Sequence, residues 1–141
     1  MTRWNPWQAL RERTHIRFKL DRLPDGLGAV YGRRGERAAI IIDSRLDQTE
    51  RRAALAHELI HDERGPAPID VPASWRPVLV KEESAVNREV AMRLVPLDTL
   101  AIYVGSLAEM GRGVTALEVA AEFDVPEEIA TRALLTLRDW T

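Results

Sequence analysis

The 141-residue chain contains no cysteine, and histidine is scarce, with three in the whole sequence. The absence of cysteine excludes disulfide bonds, thiolate metal sites and cysteine nucleophiles. Any metal ion must therefore bind through His, Asp or Glu. The N-terminal region has no continuous apolar run of the kind found in a signal peptide or a membrane span, so we expect a cytoplasmic protein with no membrane partner.

An excess of charge of one sign is also lacking, since 20 Lys and Arg residues face 22 Asp and Glu residues, for a net charge of −2. This balance gives no overall electrostatic argument for binding nucleic acid or membranes. The charge is uneven, however, because residues 1–96 carry 17 basic and 14 acidic groups, whereas residues 97–141 carry 3 and 8. The length fits one domain. We divide it into a core over residues 1–96 and a C-terminal helical segment over residues 97–141.

The pattern of apolar residues predicts an α+β fold. Three short segments separated by Pro, Asp and Gly residues predict a small three-stranded antiparallel sheet. Six helices are predicted around it, two of which start at capping boxes, Asp47 with Glu50 and Thr115 with Glu118. A Pro-rich loop through Pro72 and Pro77 is expected after Gly65-Pro66. The predicted strands are His15–Leu20, Gly28–Tyr31 and Ala38–Ile42, and the predicted helices are Trp4–Arg13, Asp47–Arg64, Val78–Val95, Asp98–Leu107, Thr115–Phe123 and Pro126–Asp139.

The helix predicted to start at Asp47 contains the sequence HExxH, in which the defining residues are His57, Glu58 and His61. Residues four apart on a helix lie on one face about a turn apart, so both imidazoles can reach one ion. Glu58, beside that face, can accept a proton from an activated water and deliver it to the leaving amine. This chemistry explains why the motif is typical of zinc peptidases. The alternatives are a surface helix with two unrelated histidines and a metal site without catalysis.

The third metal ligand must be a carboxylate or His15, because catalytic zinc takes three protein ligands and keeps one open position. On the next helix, Glu83 is the charged residue on an otherwise apolar stripe. An isolated buried carboxylate is costly unless a cation neutralises it, so we predict Glu83 as the ligand. Glu82 and Glu89 share a face with Arg93 and are interpreted as a solvated surface. The stripe consists of Leu79, Glu83, Val86, Asn87, Val90 and Leu94.

Asn87, one turn beyond Glu83, is placed to orient a metal ligand by hydrogen bonding to a histidine ring nitrogen. The alternative is an asparagine that merely lies near a buried edge. Two histidines and one glutamate, with the fourth coordination position left open, are the ligands that zinc uses for peptide hydrolysis. We predict Zn²⁺, with Mn and Fe as alternatives on ligand type.

Several segments between residues 15 and 135 carry a family resemblance, namely Arg51-Arg52, Leu55-Ala56, the HExxH sequence, Asp62 to Gly65, Glu83 to Asn87, and Ala91 to Pro96. They resemble the ImmA/IrrE family of metallopeptidases. The resemblance implies a small zincin-like domain of the gluzincin type, with zinc on His57, His61 and Glu83 and with Glu58 catalytic. It also implies a protein substrate, a helix-turn-helix repressor of a mobile element or stress response. The chain departs from the family pattern in lacking an aromatic residue near Val90.

Two further elements bear on the partner. Residues 115–137 have the outline of a helix-turn-helix, but the second helix begins with Glu127-Glu128, which should repel phosphate. We therefore expect these helices to serve in packing or repressor docking rather than in direct nucleic-acid binding. The strand Ala38 to Asp43 precedes the HExxH helix, where an edge strand can pair with an extended substrate. A purely structural strand is the alternative.

Two functional hypotheses follow. The first is a zinc metallo-endopeptidase that cleaves a repressor-type regulatory protein. The second is a non-enzymatic metal-containing regulator or partner-binding protein, in which the metal only holds the fold. Glu58 discriminates between them, because only the first hypothesis gives its carboxylate a chemical task.

Overall fold

The helices and strands of the chain were located in a computed structural model that describes residues 3–65 and 76–140, with side chains described for 3–65 and 80–140. In these residues the α+β prediction is confirmed: six helices pack with a three-stranded sheet. The elements in chain order are α1 (Pro6–Glu12), β1 (Ile16–Asp21), β2 (Ala29–Arg34), β3 (Arg37–Asp43), α2 (Gln48–Arg64), α3 (Arg76–Leu94), α4 (Leu97–Glu109), α5 (Ala116–Phe123) and α6 (Glu127–Trp140).

The sheet is mixed, with the strand order β1-β3-β2. Strand β3 pairs antiparallel with β2 across a tight turn at Gly35 and parallel with β1, in the register Ile16 to Ala38. The prediction of an antiparallel sheet is therefore wrong for β1. The prediction that β3 is an edge strand is wrong as well, because the apolar segment Ala38–Ile42 occupies the centre, where both sides of its backbone are hydrogen-bonded. The outer strands are β1 and β2.

Helix α2 lies between two buried apolar clusters. Ala56 and Ile60 pack in a first core with residues of α3, α5 and α6. Leu55 and Leu59 pack in a second core with residues of α1, β1 and β3. All four side chains are fully buried. The helix is thus fixed from two sides, and its remaining face is left for the polar residues of HExxH.

The ends of α2 form as the sequence predicts. The Asp47 carboxylate accepts a hydrogen bond from the Glu50 amide at 2.8 Å, and the Glu50 carboxylate accepts one from the Asp47 amide at 3.1 Å. The helix ends at Gly65, whose φ of 91° favours glycine. Pro77, expected in a loop, lies in the first turn of α3, a position where proline is tolerated. The rest of the predicted Pro-rich loop, including Pro72, lies outside the described residues.

The turn between α5 and α6 is anchored to α2. Asp124 adopts the left-handed conformation with φ of 54°, which ends α5. The Arg52 guanidinium donates hydrogen bonds to the carbonyl oxygens of Phe123 at 3.3 Å and Asp124 at 2.8 Å. The Thr49 hydroxyl hydrogen bonds to the Asp124 carboxylate. These contacts set the start of α6 beside the first turns of α2.

None of the described helices is by itself long and apolar enough to cross a membrane. Only the pair Val80–Leu94 and Leu97–Glu109, bent by 56° at Pro96, meets the length and composition requirement when the two are taken together. Pro96 separates them because it cannot continue the backbone hydrogen bonding of a helix.

A buried carboxylate links α2 to the sheet. Asp62 follows the HExxH sequence directly and is buried. It accepts a hydrogen bond from the Tyr31 hydroxyl at 2.6 Å, and its other oxygen lies 2.8 Å from the His15 Nε2 atom. Arg33 Nη1 is 3.5 Å from the same carboxylate. The position of α2 against β1 and β2 is therefore set by hydrogen bonds as well as by apolar packing, and His15 has a structural contact.

Truncating the core around α2 should unfold the protein much more easily than truncating its surface. We expect Leu59→Ala to lower the free energy of unfolding by about 2–5 kcal/mol, because Leu59 is fully buried and its removal leaves a cavity. The matched control is Leu117→Ala, whose side chain is 65% exposed. It should change stability by less than about 0.5 kcal/mol. Urea denaturation measures both, and equal effects would contradict the assignment of the second core.

The Tyr31 hydroxyl should ionise at a higher pH than an ordinary tyrosine hydroxyl. Burial, with the neighbouring Asp62 carboxylate as a second cause, raises the pKa of Tyr31 from 10.0 to about 12. A raised folded-state pKa stabilises the fold fully below pH 10, and this contribution is lost as the pH rises toward 12. Alkaline titration of tyrosinate absorbance should show a phase near pH 12 that Tyr31→Phe removes. Loss of an earlier phase in that variant would contradict the contact with Asp62.

Candidate metal centre

Helix α2 places the two histidines of HExxH on its free face, one turn apart. The Nε2 atoms of His57 and His61 are 3.2 Å apart, and the ring centroids are separated by 4.8 Å. Both imidazoles are partly buried. Their convergence follows from the four-residue spacing, because the packing of Leu55, Ala56, Leu59 and Ile60 into the two cores leaves this face open.

Helix α3 brings Glu83 to the same point. Its Oε1 atom is 2.7 Å from His57 Nε2, and its Oε2 atom is 3.1 Å from His61 Nε2. The prediction that Glu83 is buried is wrong, since its side chain is 49% exposed. Among the described side chains of the predicted stripe, Val86, Val90 and Leu94 are buried, and the Leu79 side chain lies outside the described residues. Glu83 lies one turn before the buried residues, at the open edge between α2 and α3, where contact with two imidazoles holds the carboxylate without burial.

The separations of the three side chains can be compared with those around a metal ion. Two ligand atoms at about 2.0–2.1 Å from a tetrahedral zinc ion lie roughly 3.3 Å from each other. The contacts between His57, His61 and Glu83 measure 3.2, 2.7 and 3.1 Å. The three residues could therefore hold a metal ion. His15 is not a member of this group, because it contacts Asp62 instead.

Glu58 lies next to this group but has a different environment. It is 9% exposed and lines an open cleft. Within residues 3–65 and 80–140, no side chain forms a hydrogen bond or ion pair with its carboxylate. Burial, followed by the negative charge of Glu83, raises the pKa of Glu58 to about 7. Among the described side chains Glu58 has no partner of its own, and it lines the space in which a ligand would lie.

The His57 ring is held in a form suited to metal binding. Burial lowers its pKa below the ordinary histidine value, against the opposing effects of the Glu83 charge and of the neighbouring Asn87 side chain. The neutral imidazole, which a lowered pKa favours, is the form that ligates metals. Asn87 thus lies beside one of the two histidines of HExxH.

The other carboxylates of α3 contact arginines rather than the histidines. Glu82 accepts hydrogen bonds from the Arg64 guanidinium, one of them at 3.0 Å. Glu89 accepts one from Arg93 at 3.0 Å. Both contacts are surface ion pairs, in agreement with the interpretation of this face as solvated. Glu82 is therefore a useful comparison for Glu83, its neighbour in sequence.

A cleft of about 930 Å³ opens beside the candidate centre. One side is formed by the first residues of β2, by α2 with His57 and Glu58, and by α3 with Asn87. The opposite side is formed by α6, from Pro126 to Asp139. Sequence reasoning did not assign α6 to the site. The amphipathic pattern of a helix shows which face is polar, but it does not show which other element that face meets.

Comparison of the chain with protein-family models, with curated proteins and with solved structures gives no match. The resemblance seen in the motif-bearing helices is therefore supported by those residues alone. The candidate centre is defined by its own geometry.

Removing Glu83 should abolish tight metal binding, whereas removing its neighbour should not. We expect Glu83→Ala to weaken Zn²⁺ affinity by more than the roughly 10–100-fold typical of losing a residue outside the ligand set. Glu82→Ala, which breaks only a surface ion pair, should bind Zn²⁺ as the unaltered chain does. Isothermal titration calorimetry measures both affinities. Equal affinities in the two variants would exclude Glu83 as a ligand.

Proposed function

We propose that this chain is a zinc-dependent endopeptidase with a zincin-like active site of the ImmA/IrrE type. One observation supports the proposal above all others. Glu58, which is 9% exposed and has no hydrogen-bonding partner among the described side chains, lines the same cleft as His57, while His61 and Glu83 converge on the His57 ring. The residues that could bind a metal and the residue that could transfer a proton are thus adjacent at one open surface.

In this proposal His57, His61 and Glu83 hold the zinc ion. Their donor set, two imidazoles and one carboxylate, leaves a position open in tetrahedral coordination. Zinc bound there supplies Lewis acidity, which polarises a peptide carbonyl and makes water a stronger nucleophile at neutral pH. Asn87, whose side chain lies beside the His57 ring, orients that ring.

Glu58 moves the proton. As the water oxygen forms its bond to the carbonyl carbon, the Glu58 carboxylate takes up the proton that the water loses. When the C–N bond breaks, Glu58 returns that proton to the leaving nitrogen, so the carboxylate is regenerated and one water is consumed per bond. The low exposure of Glu58 limits competition from solvent for this proton.

The substrate in this proposal is a protein, specifically a helix-turn-helix repressor of a mobile element or stress response. The cleft is open and large enough for a chain segment, and Gly28 and Ala29 at the start of β2 line it. One side of β2 is unpaired within the described sheet, so this strand, and not the central β3, is available to pair with an extended peptide. Direct binding of nucleic acid is not part of the proposal.

Replacing the Glu58 carboxylate by an amide should separate metal binding from catalysis. We expect Glu58→Gln to bind Zn²⁺ like the unaltered chain and to lose about 10²–10⁴-fold in cleavage rate, because the amide cannot accept the proton. The measurement is mass spectrometry of fragments released from a library of unstructured peptides by the zinc-loaded protein. Glu82→Gln is the control and should keep full activity.

The same experiment distinguishes an enzyme from a metal-containing regulator. If the zinc-loaded chain binds the metal but releases no fragments, the ion only holds the fold and the endopeptidase proposal fails. If Glu58→Gln cleaves as fast as the unaltered chain, Glu58 is not the base.

A further inference from the structure

Helix α6 has two faces with different surroundings. Ala130 and Ala133 are buried in the first core, where Leu134 and Leu137 also pack. The opposite face lines the cleft and is formed by the residues Glu127, Glu128, Arg132, Leu135 and Asp139. We call this set the cleft face of α6. Because the inner face is anchored in the core, the cleft face has a fixed position opposite α2.

The fixed position also depends on the start of α6. Arg52 and Thr49 of α2 hold the turn that precedes this helix through their contacts with Asp124. Helix α2 therefore supplies both His57 and Glu58 and the contacts that place the cleft face across from them. A ligand that fills the cleft contacts α6 while it lies beside the candidate centre.

Part of the cleft lining is apolar and leaves room for a large side chain. Leu135 is 46% exposed, although it is an apolar residue. The residues that line the cleft on its other side include Ala29, Ala53 and Ala54, whose small side chains leave space. A bulky apolar group of a ligand would cover Leu135 and remove apolar surface from water.

The rest of the cleft face is negatively charged. Glu127 and Glu128 are exposed, and in the part of the chain with described side chains neither has a cationic partner. Asp139 adds a third carboxylate, which lies 3.3 Å from Arg138. Among the described residues that line the cleft, Arg132 is the single cation. The carboxylates of α6 outnumber it, so this side of the cleft attracts positive charge and repels acidic segments.

The helix dipole gives Glu127 and Glu128 a structural role at the first turn of α6, since negative charge there is stabilising. Both carboxylates are exposed, so they can contact a ligand as well as stabilise the helix. Glu58, largely buried and without a partner among the described side chains, lines the same cleft and indicates that a polar ligand enters it.

We propose that the cleft face of α6 selects the substrate, by taking a bulky apolar side chain at Leu135 and a Lys or Arg side chain at Glu127 and Glu128. This inference rests on the proposed endopeptidase function and names the peptide that it acts on. Glu128 and Leu135 are seven residues apart on α6, which is about 10 Å along the helix axis. An extended peptide covers that distance in about three residues. The preferred segment therefore has a basic residue about three positions from a large apolar one.

Peptide binding to a chain that cannot cleave tests this selection. Two fluorescent peptides differ at one position, with Arg or Glu placed three residues from a Leu. The zinc-loaded Glu58→Gln chain should bind the Arg peptide at least about tenfold more tightly than the Glu peptide, as read by anisotropy. Adding Glu128→Lys should remove or reverse the preference. Adding Glu122→Lys, an exposed position on α5 outside the cleft, should leave it unchanged.

Two further variants guard against a trivial loss of structure. Glu128→Gln removes the charge while keeping the shape, and it should reduce the preference by less than Glu128→Lys does. Leu135→Ala should weaken binding of the Arg peptide to the level of a peptide with Ala in place of Leu. Leu117→Ala, also exposed but outside the cleft, is its control and should have no effect.

Several outcomes would overturn the inference. Equal binding of the two peptides, or a preference that survives Glu128→Lys, would remove α6 from substrate selection. If the anisotropy of the labelled peptide falls as the protein concentration is raised, a second copy of the chain displaces the peptide. That copy would then be the occupant of the cleft. Failure of the endopeptidase proposal gives a different result, since the unaltered zinc-loaded chain would then bind the Arg peptide selectively and leave it intact.

Discussion

The packing of α2 between two apolar cores is the constraint on which the candidate centre depends. Leu55 and Leu59 point into one core, and Ala56 and Ile60 point into the other, so the rotation of the helix about its axis is fixed. This rotation leaves the histidines on the remaining face, where α3 can meet them. A change in the packing would separate the Glu83 carboxylate from both imidazoles, even though HExxH would be intact. The geometry of the candidate centre thus depends on the apolar residues within and just before HExxH as well as on its histidines and glutamate.

Local features of the sequence predicted the helices well, and long-range features did not predict the sheet. The limits of α2 follow from the Asp47 capping box and from Gly65, which act within a few residues of themselves. The order β1-β3-β2 depends on which strand occupies the centre, and the turn sequences contain no information on that choice. The apolar run Ala38–Ile42 was the signal that could have identified the central strand. A strand paired on both sides is the one most shielded from solvent, so an apolar run is expected there.

At the candidate site, too, local spacing was predicted correctly and the packing of distant elements was not. His57 and His61 could be paired from their spacing, because a helix fixes the geometry of residues four apart. Glu83 was chosen for burial, and it is half exposed, so the correct contact was predicted for an incorrect reason. What holds it near the imidazoles is the approach of α3 to α2, which burial patterns along one helix do not describe. The position of α6 across the cleft likewise results from contacts with Arg52 and Thr49, residues more than 70 positions earlier in the chain.

The charge asymmetry of the chain has a structural counterpart in the cleft. The acidic C-terminal segment contributes α6, whose carboxylates face the histidine-bearing α2 of the more basic core. In a helix-turn-helix that reads DNA, the start of the second helix enters the groove. Here that start, Glu127 and Glu128, is negatively charged and lines the cleft beside the candidate centre. Helix α6 therefore lines the cleft beside the candidate centre.

The most direct test of the central claim is the coordination of zinc in the loaded protein, measured by zinc-edge X-ray absorption together with an anomalous-difference map. The account predicts one ion bound by two imidazole nitrogens, from His57 and His61, and by the Glu83 carboxylate, with a further light-atom ligand at a distance of about 2 Å. Zinc found at another position, or bound without Glu83, would contradict it.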